Sequence, residues 1–139
     1  LNEEKEQGAI YHDNLKSLFS VSEVLSICCP ATKETLNLIN KKTLEYFPTG
    51  AVITNVARGD IVDDEALIDA LNRRKIYAVG LDVYKGEPNL NPGYQKIKST
   101  FILPHLGSAT KHTRIAMANL ALDNIDEFFK TGSCKNKVN

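Results

Sequence analysis

The sequence predicts an α/β fold built on a parallel sheet, and three observations carry that prediction. Short runs of β-branched and apolar residues alternate with longer stretches of helical period. Most of the runs are continuous rather than alternating, as in strands covered on both faces. The polar residues that break the pattern gather just after the runs. Strands and helices alternating at this length imply parallel βαβ units in a doubly wound sheet, whose ligands bind beyond the carboxyl ends of the strands.

The expected strands are Gly8-Ala9-Ile10-Tyr11, Val24 to Cys29, Ala51 to Val56, Tyr77 to Val83 and Thr100 to Pro104. A helix opens at Asp63-Asp64-Glu65 and closes at Arg73-Arg74-Lys75, which puts acids at the positive end of its dipole and bases at the negative end. Its residues Ala66, Leu67, Ala70 and Leu71 form one apolar stripe. Shorter helices are expected around Asn14 to Phe19 and Lys41 to Phe47. The last helix starts near Thr110, an N-cap type, and runs to about Lys130 before Gly132. Within it Ile115, Ala118, Leu122, Ile125 and Phe129 recur at three or four residues, an amphipathic pattern. Tyr84 to Ser99, with Gly86, Pro88, Pro92 and Gly93, reads as a long loop, and such loops in compact domains tend to be functional.

Composition narrows the classes. The 139 residues carry 17 Lys+Arg against 17 Asp+Glu, with 42% apolar residues, an ordinary balance for a globular chain with one core. That balance argues against nucleic acid as the main partner, and no run approaches the length of a membrane span or has the form of a signal peptide. Cys28, Cys29 and Cys134 lack metal-ligand spacing, so no metal site is expected, and a reducing cytoplasm is the simpler setting.

The strand ends hold the candidate chemistry. Arg58 leaves the end of an apolar run, where its guanidinium can meet a carboxylate in a bidentate pair, although a solvated turn residue would read the same way. Asp82 interrupts a buried strand, and a carboxylate there needs a partner. Glu87, in Gly86-Glu87-Pro88, fits an exposed turn as well as a site. His105 lies between Pro104 and Gly107, which fix the backbone where strand passes into helix, a place for binding groups more than for packing. His12 and His112 read as surface residues. Cys28 and Cys29 read as small core hydrophobes on opposite faces of a strand.

The runs Thr54-Asn55-Val56-Ala57-Arg58-Gly59-Asp60-Ile61-Val62-Asp63, Gly80-Leu81-Asp82-Val83-Tyr84 with Gly86-Glu87-Pro88, and Leu103-Pro104-His105-Leu106-Gly107-Ser108-Ala109-Thr110 resemble the D-isomer-specific 2-hydroxyacid dehydrogenases. The likeness extends from near Ala9 to about Val138. Glu87 to Pro92 and Ala121 to Ile125 lean toward the glyoxylate and hydroxypyruvate reductases. The resemblance implies hydride transfer between NAD or NADP and a small 2-oxo acid. In it Arg58 holds the substrate carboxylate, His105 is the general acid and Glu87 pairs with His105, since a neighbouring carboxylate favours a charged imidazolium. It places Asp82 on the nicotinamide carboxamide side. Cys29, Pro30, Val56, Ala57 and Gly107 fall at positions that line the cofactor, where Arg58 and His105 also lie. Cys28 and His112 depart from residues frequent in the family.

The resemblance also implies what lies outside the chain. The glycine-rich turn that receives the pyrophosphate is not formed by any of the eight glycines. The expectation is therefore a partial Rossmann-like sheet lacking its first βαβ unit. Residues 1–131 would be the C-terminal part of the NAD(P)-binding domain, and 132–139 a tail returning toward the substrate domain. The larger enzyme is expected to be a homodimer and the chain alone to be inactive. Phosphoglycerate dehydrogenase, a cofactor-sensing or protein-binding module, and a structural remnant are the alternatives, and the last would self-associate through an open sheet edge.

Overall fold

The computed structural model describes residues 8–138. Its strands are β1 (Val24–Ile27), β2 (Ala51–Asn55), β3 (Ile76–Leu81) and β4 (Thr100–Ile102). They form one sheet in the order β1-β2-β3-β4, every neighbouring pair parallel. The helices are α1 (Leu15–Val21), α2 (Lys41–Leu44), α3 (Asp64–Asn72), α4 (Pro92–Gln95) and α5 (Lys111–Thr131), with a 3₁₀ turn at Gly59–Ile61. The α/β class and the parallel order are as expected. The chain divides after Pro104 into two compact units.

In the first unit the side chains of β2 alternate strictly between buried and half-buried. Strand pairing extends that alternation over the sheet. Ile53, Val79 and Leu81 lie on one side with Ile27 and pack with Phe19, Ile39, Leu44, Leu67 and Leu71 in the core. The rings of Phe19 and Phe47 stack within this core, 4.5 Å between centroids. On the other side Val24, Val52, Ala78, Gly80 and Phe101 share a face through the strand register, and Val24 and Phe101 are 67% and 66% exposed. The expectation of strands covered on both faces is thus corrected: within the described residues the sheet buries one face.

Helix ends follow the side chains that cap them. Asp63 accepts from Ala66 N at the start of α3, and Asn40 and Thr43 form a reciprocal capping box on α2. The segment Gly8 to Tyr11 is not a strand: no strand among the described residues pairs with it, and Ile10 and Tyr11 stand 82% and 73% exposed. The stretch expected as a loop from Tyr84 to Ser99 contains α4, where Tyr94 is fully buried and its hydroxyl donates to Asp64 Oδ1 at 2.8 Å. Cys28 and Cys29 lie past the end of β1, exposed and half-buried respectively, so they are not the core pair that their apolar neighbours suggested.

The second unit consists of α5 with its flanks. Thr110 accepts from Thr113 N, and Gly132 ends the helix in the left-handed conformation, its N–H donating to Phe128 O at 2.8 Å. The apolar residues of α5 have the expected period, yet none is buried: Ile115, Leu122, Ile125 and Phe129 are between 50% and 83% exposed. No helix among the described residues is long and apolar enough to cross a membrane.

Candidate active site at the carboxyl ends of the strands

Parallel strands end together, so whatever follows them shares one edge. Past β1 the chain runs through Cys28, Cys29, Pro30 and Ala31, and past β2 through Val56, Ala57 and Arg58. These seven residues wall an open cleft of about 540 Å³. Beside the apolar side chains of Pro30, Ala31, Val56 and Ala57 it carries one guanidinium and two thiols, and its exposed lining is more polar than apolar. Four of the expected cofactor-lining positions, Cys29, Pro30, Val56 and Ala57, are here with Arg58. The Arg58 side chain is exposed, and Nη1 donates to Ala57 O at 2.6 Å, which bends the guanidinium back over its own loop and leaves its remaining donors for a ligand.

The loop bearing Arg58 is held from below. Asn55, the last residue of β2, is fully buried on the core side. Its Oδ1 accepts from Ala57 N at 3.0 Å and its Nδ2 donates to Arg58 O at 2.8 Å. Its backbone carbonyl accepts from Asp82 N at 3.0 Å. A buried amide costs stability unless both ends are bonded, and here both are.

A second constraint comes from Gly59. A Cβ placed on it would lie 2.1 Å from Tyr84 C and 2.4 Å from Lys85 N, so the Arg58 loop and the 84–87 loop touch backbone to backbone. In the latter loop Glu87 Oε1 accepts from Tyr84 N at 3.0 Å, and the Glu87-Pro88 peptide is cis. Asp82, half-buried, follows β3 directly. The first unit therefore brings Arg58, Asp82 and Glu87 to the same end of the sheet.

His105 opens the second unit, exposed and with φ +56°, a left-handed conformation uncommon for a residue with a Cβ. Gly107 lies two residues on, in the turn where Ala109 N donates to Leu106 O at 2.9 Å. No cluster of three or more metal-ligating side chains occurs among the described residues.

The sequence of residues 1–107 matches the family model described as the D-isomer specific 2-hydroxyacid dehydrogenase, NAD binding domain. The chain belongs to this dehydrogenase family. Glycerate dehydrogenase of Hyphomicrobium methylovorum is 44% identical over 128 residues, 92% of this chain and 40% of that protein. The glyoxylate reductase structure from Paecilomyes thermophila superposes with a TM-score of 0.89 at 36% identity, over 99% of this chain and 42% of that one. An NADPH-dependent glyoxylate/hydroxypyruvate reductase from Sinorhizobium meliloti, solved with NADP and malonate, gives 0.88 at 35% identity, over 92% of this chain and 40% of its own. The chain spans about two-fifths of the length of these relatives, within a Rossmann-like, NAD-binding part of an oxidoreductase family.

The motifs behind the resemblance point to Arg58, Glu87 and His105 as candidates. They do not single out Asn55 or Gly59 as supports. Only a conditional signal for Asn55 stands in the sequence: an amide ending an apolar strand has to find partners if it is buried, and that burial is set by segments far along the chain.

Proposed function

We propose that this chain provides the catalytic strand edge of an NAD(P)-dependent D-2-hydroxyacid dehydrogenase that reduces a small 2-oxo acid such as glyoxylate or hydroxypyruvate. The cleft beyond β1 and β2, with Arg58 at its rim, is the observation that carries this reading. The side chains of Pro30, Val56 and Ala57 on its walls suit the faces of a nicotinamide ring, and its one guanidinium suits a carboxylate. Cys29, Pro30, Val56, Ala57 and Gly107 would hold the cofactor, with Asp82 toward the carboxamide. When bound, NAD(P)H supplies the hydride.

The chain's own residues do the rest. Arg58 binds the substrate carboxylate through paired N–H groups and so orients the carbonyl. His105 gives its proton to the carbonyl oxygen as the alkoxide forms, and recovers one from solvent. In this reading Glu87 is the partner of His105, as the resemblance implies. Residues 1–131 belong in this reading to the cofactor domain and 132–139 lead back toward a substrate domain. The assembled enzyme is a cytoplasmic homodimer with no membrane or nucleic-acid partner.

The test is NADH and NADPH oxidation by the complete gene product with glyoxylate and with hydroxypyruvate. His105→Ala is expected to lower kcat by about 100-fold or more. Cofactor binding with activity unaffected by His105→Ala points instead to a sensing or protein-binding module.

A further inference from the structure

We infer that Asn55 is a positioning residue for carboxylate recognition: its buried side chain sets the course of the backbone that carries Arg58. The inference rests on the proposed role of Arg58 and adds a residue behind it. Four observations converge. Asn55 is completely buried although polar. Both ends of its amide are spent on the residues two and three positions ahead, Ala57 N and Arg58 O. Its main-chain carbonyl receives Asp82 N, so the same residue ties the Arg58 loop to the end of β3. The guanidinium, in turn, folds onto the carbonyl of Ala57, the residue whose N–H Asn55 holds.

The geometry is directional. An amide turns an acceptor oxygen and a donor NH2 group toward a loop that presents one N–H and one C=O in matching order. Leucine would leave both loop groups unsatisfied in a buried place. Aspartate would keep the acceptor but set a carboxylate oxygen against Arg58 O. A serine hydroxyl is too short to bridge both. With the amide removed, the backbone at Arg58, held extended at φ −149° and ψ 146°, loses a bond on each side of the preceding peptide, and the guanidinium loses the fixed base from which it reaches the cleft.

A double-mutant cycle in the complete gene product tests this, with Asn55→Ser, Arg58→Gln and the pair, reading KM for glyoxylate, Ki for oxamate and the dissociation constant of NADH. Asn55→Ser is expected to raise KM and Ki about tenfold, and in the Arg58→Gln background to add less than twofold, because the two act as one unit. Additive losses would overturn the inference, as would an unchanged Ki in folded Asn55→Ser. If Arg58→Gln by itself leaves KM and Ki unchanged, the role given to Arg58 fails first, and the inference with it. Should Asn55→Ser not fold, Asn55→Asp supplies the second reading. Its KM relative to the parent is expected to rise severalfold from pH 5.5 to 8.5 as the buried carboxyl loses the proton it needs to donate to Arg58 O, and a flat ratio near one counts against the proposal.

Discussion

Arg58 and Glu87 sit on touching loops yet differ in how much structure depends on their charge. Arg58 spends one N–H on Ala57 O and is otherwise directed outward, so Arg58→Gln is expected to leave the fold intact. Loss of a charged, bidentate contact costs about 1.5–3 kcal/mol, and KM for the 2-oxo acid should rise by about one to two orders of magnitude, measured by steady-state kinetics. Glu87 accepts the N–H of Tyr84, a bond that the carbonyl of glutamine can replace. Glu87→Gln therefore separates loop from charge: kcat is expected to fall about 100-fold with the melting temperature unchanged. A matching fall in melting temperature would reassign Glu87 to the loop. At this scale the sequence was informative where a residue breaks an apolar run and is itself exposed, as Arg58 is. It was least informative for Asn55, whose meaning depends on burial by segments far along the chain.

Among the elements, α3 and α4 are joined by a polar contact between a buried phenol and a half-buried carboxylate. Tyr94 donates to Asp64 in the first turn of α3. Burial, opposed by that hydrogen bond, lifts the Asp64 carboxyl above its ordinary range, and burial together with the Asp64 charge lifts the Tyr94 phenol above its own. Both shifts have the same sign: the folded state holds the proton more tightly than the unfolded chain. Asp64 therefore loses stability for the protein as pH rises through the carboxylate range, and Tyr94 does so again above about pH 10. Urea denaturation of Tyr94→Phe should show a loss of about 1 kcal/mol at pH 7 and a shallower alkaline decline than the parent. The two glycines that meet neighbours closely make another contrast. Gly59→Ala drives a Cβ into the Tyr84 backbone and is expected to cost about 1–3 kcal/mol. Gly93→Ala meets the flexible end of Ile68 at 2.7 Å and should cost less than about 1 kcal/mol in the same measurement. Helix ends were legible in sequence because Asp63, Thr110 and Gly132 act on their near neighbours. The run Gly8 to Tyr11 was misleading, because a strand exists only with a partner and composition does not show one.

For the molecule as a whole, the one-sided sheet is the property that local sequence hid. Continuous apolar runs announce buried strands but do not say what covers each face, and here Val24 and Phe101 stand open on the face away from the core. Exposed apolar sheet surface promotes association. The purified chain is expected to scatter light increasingly with concentration, and Phe101→Lys to reduce the effect. Equal scattering from both would move the adhesive surface elsewhere, with the exposed apolar residues of α5 the next place to look.

The contact of Gly59 with Tyr84 and Lys85 bears on engineering. Surface connections ordinarily accept insertions and deletions at little cost. These two do not have that freedom, since lengthening either one would prise the pair apart and carry Arg58 with it. Attempts to retarget such a protein to bulkier acids by grafting longer loops should leave both connectors at their present length.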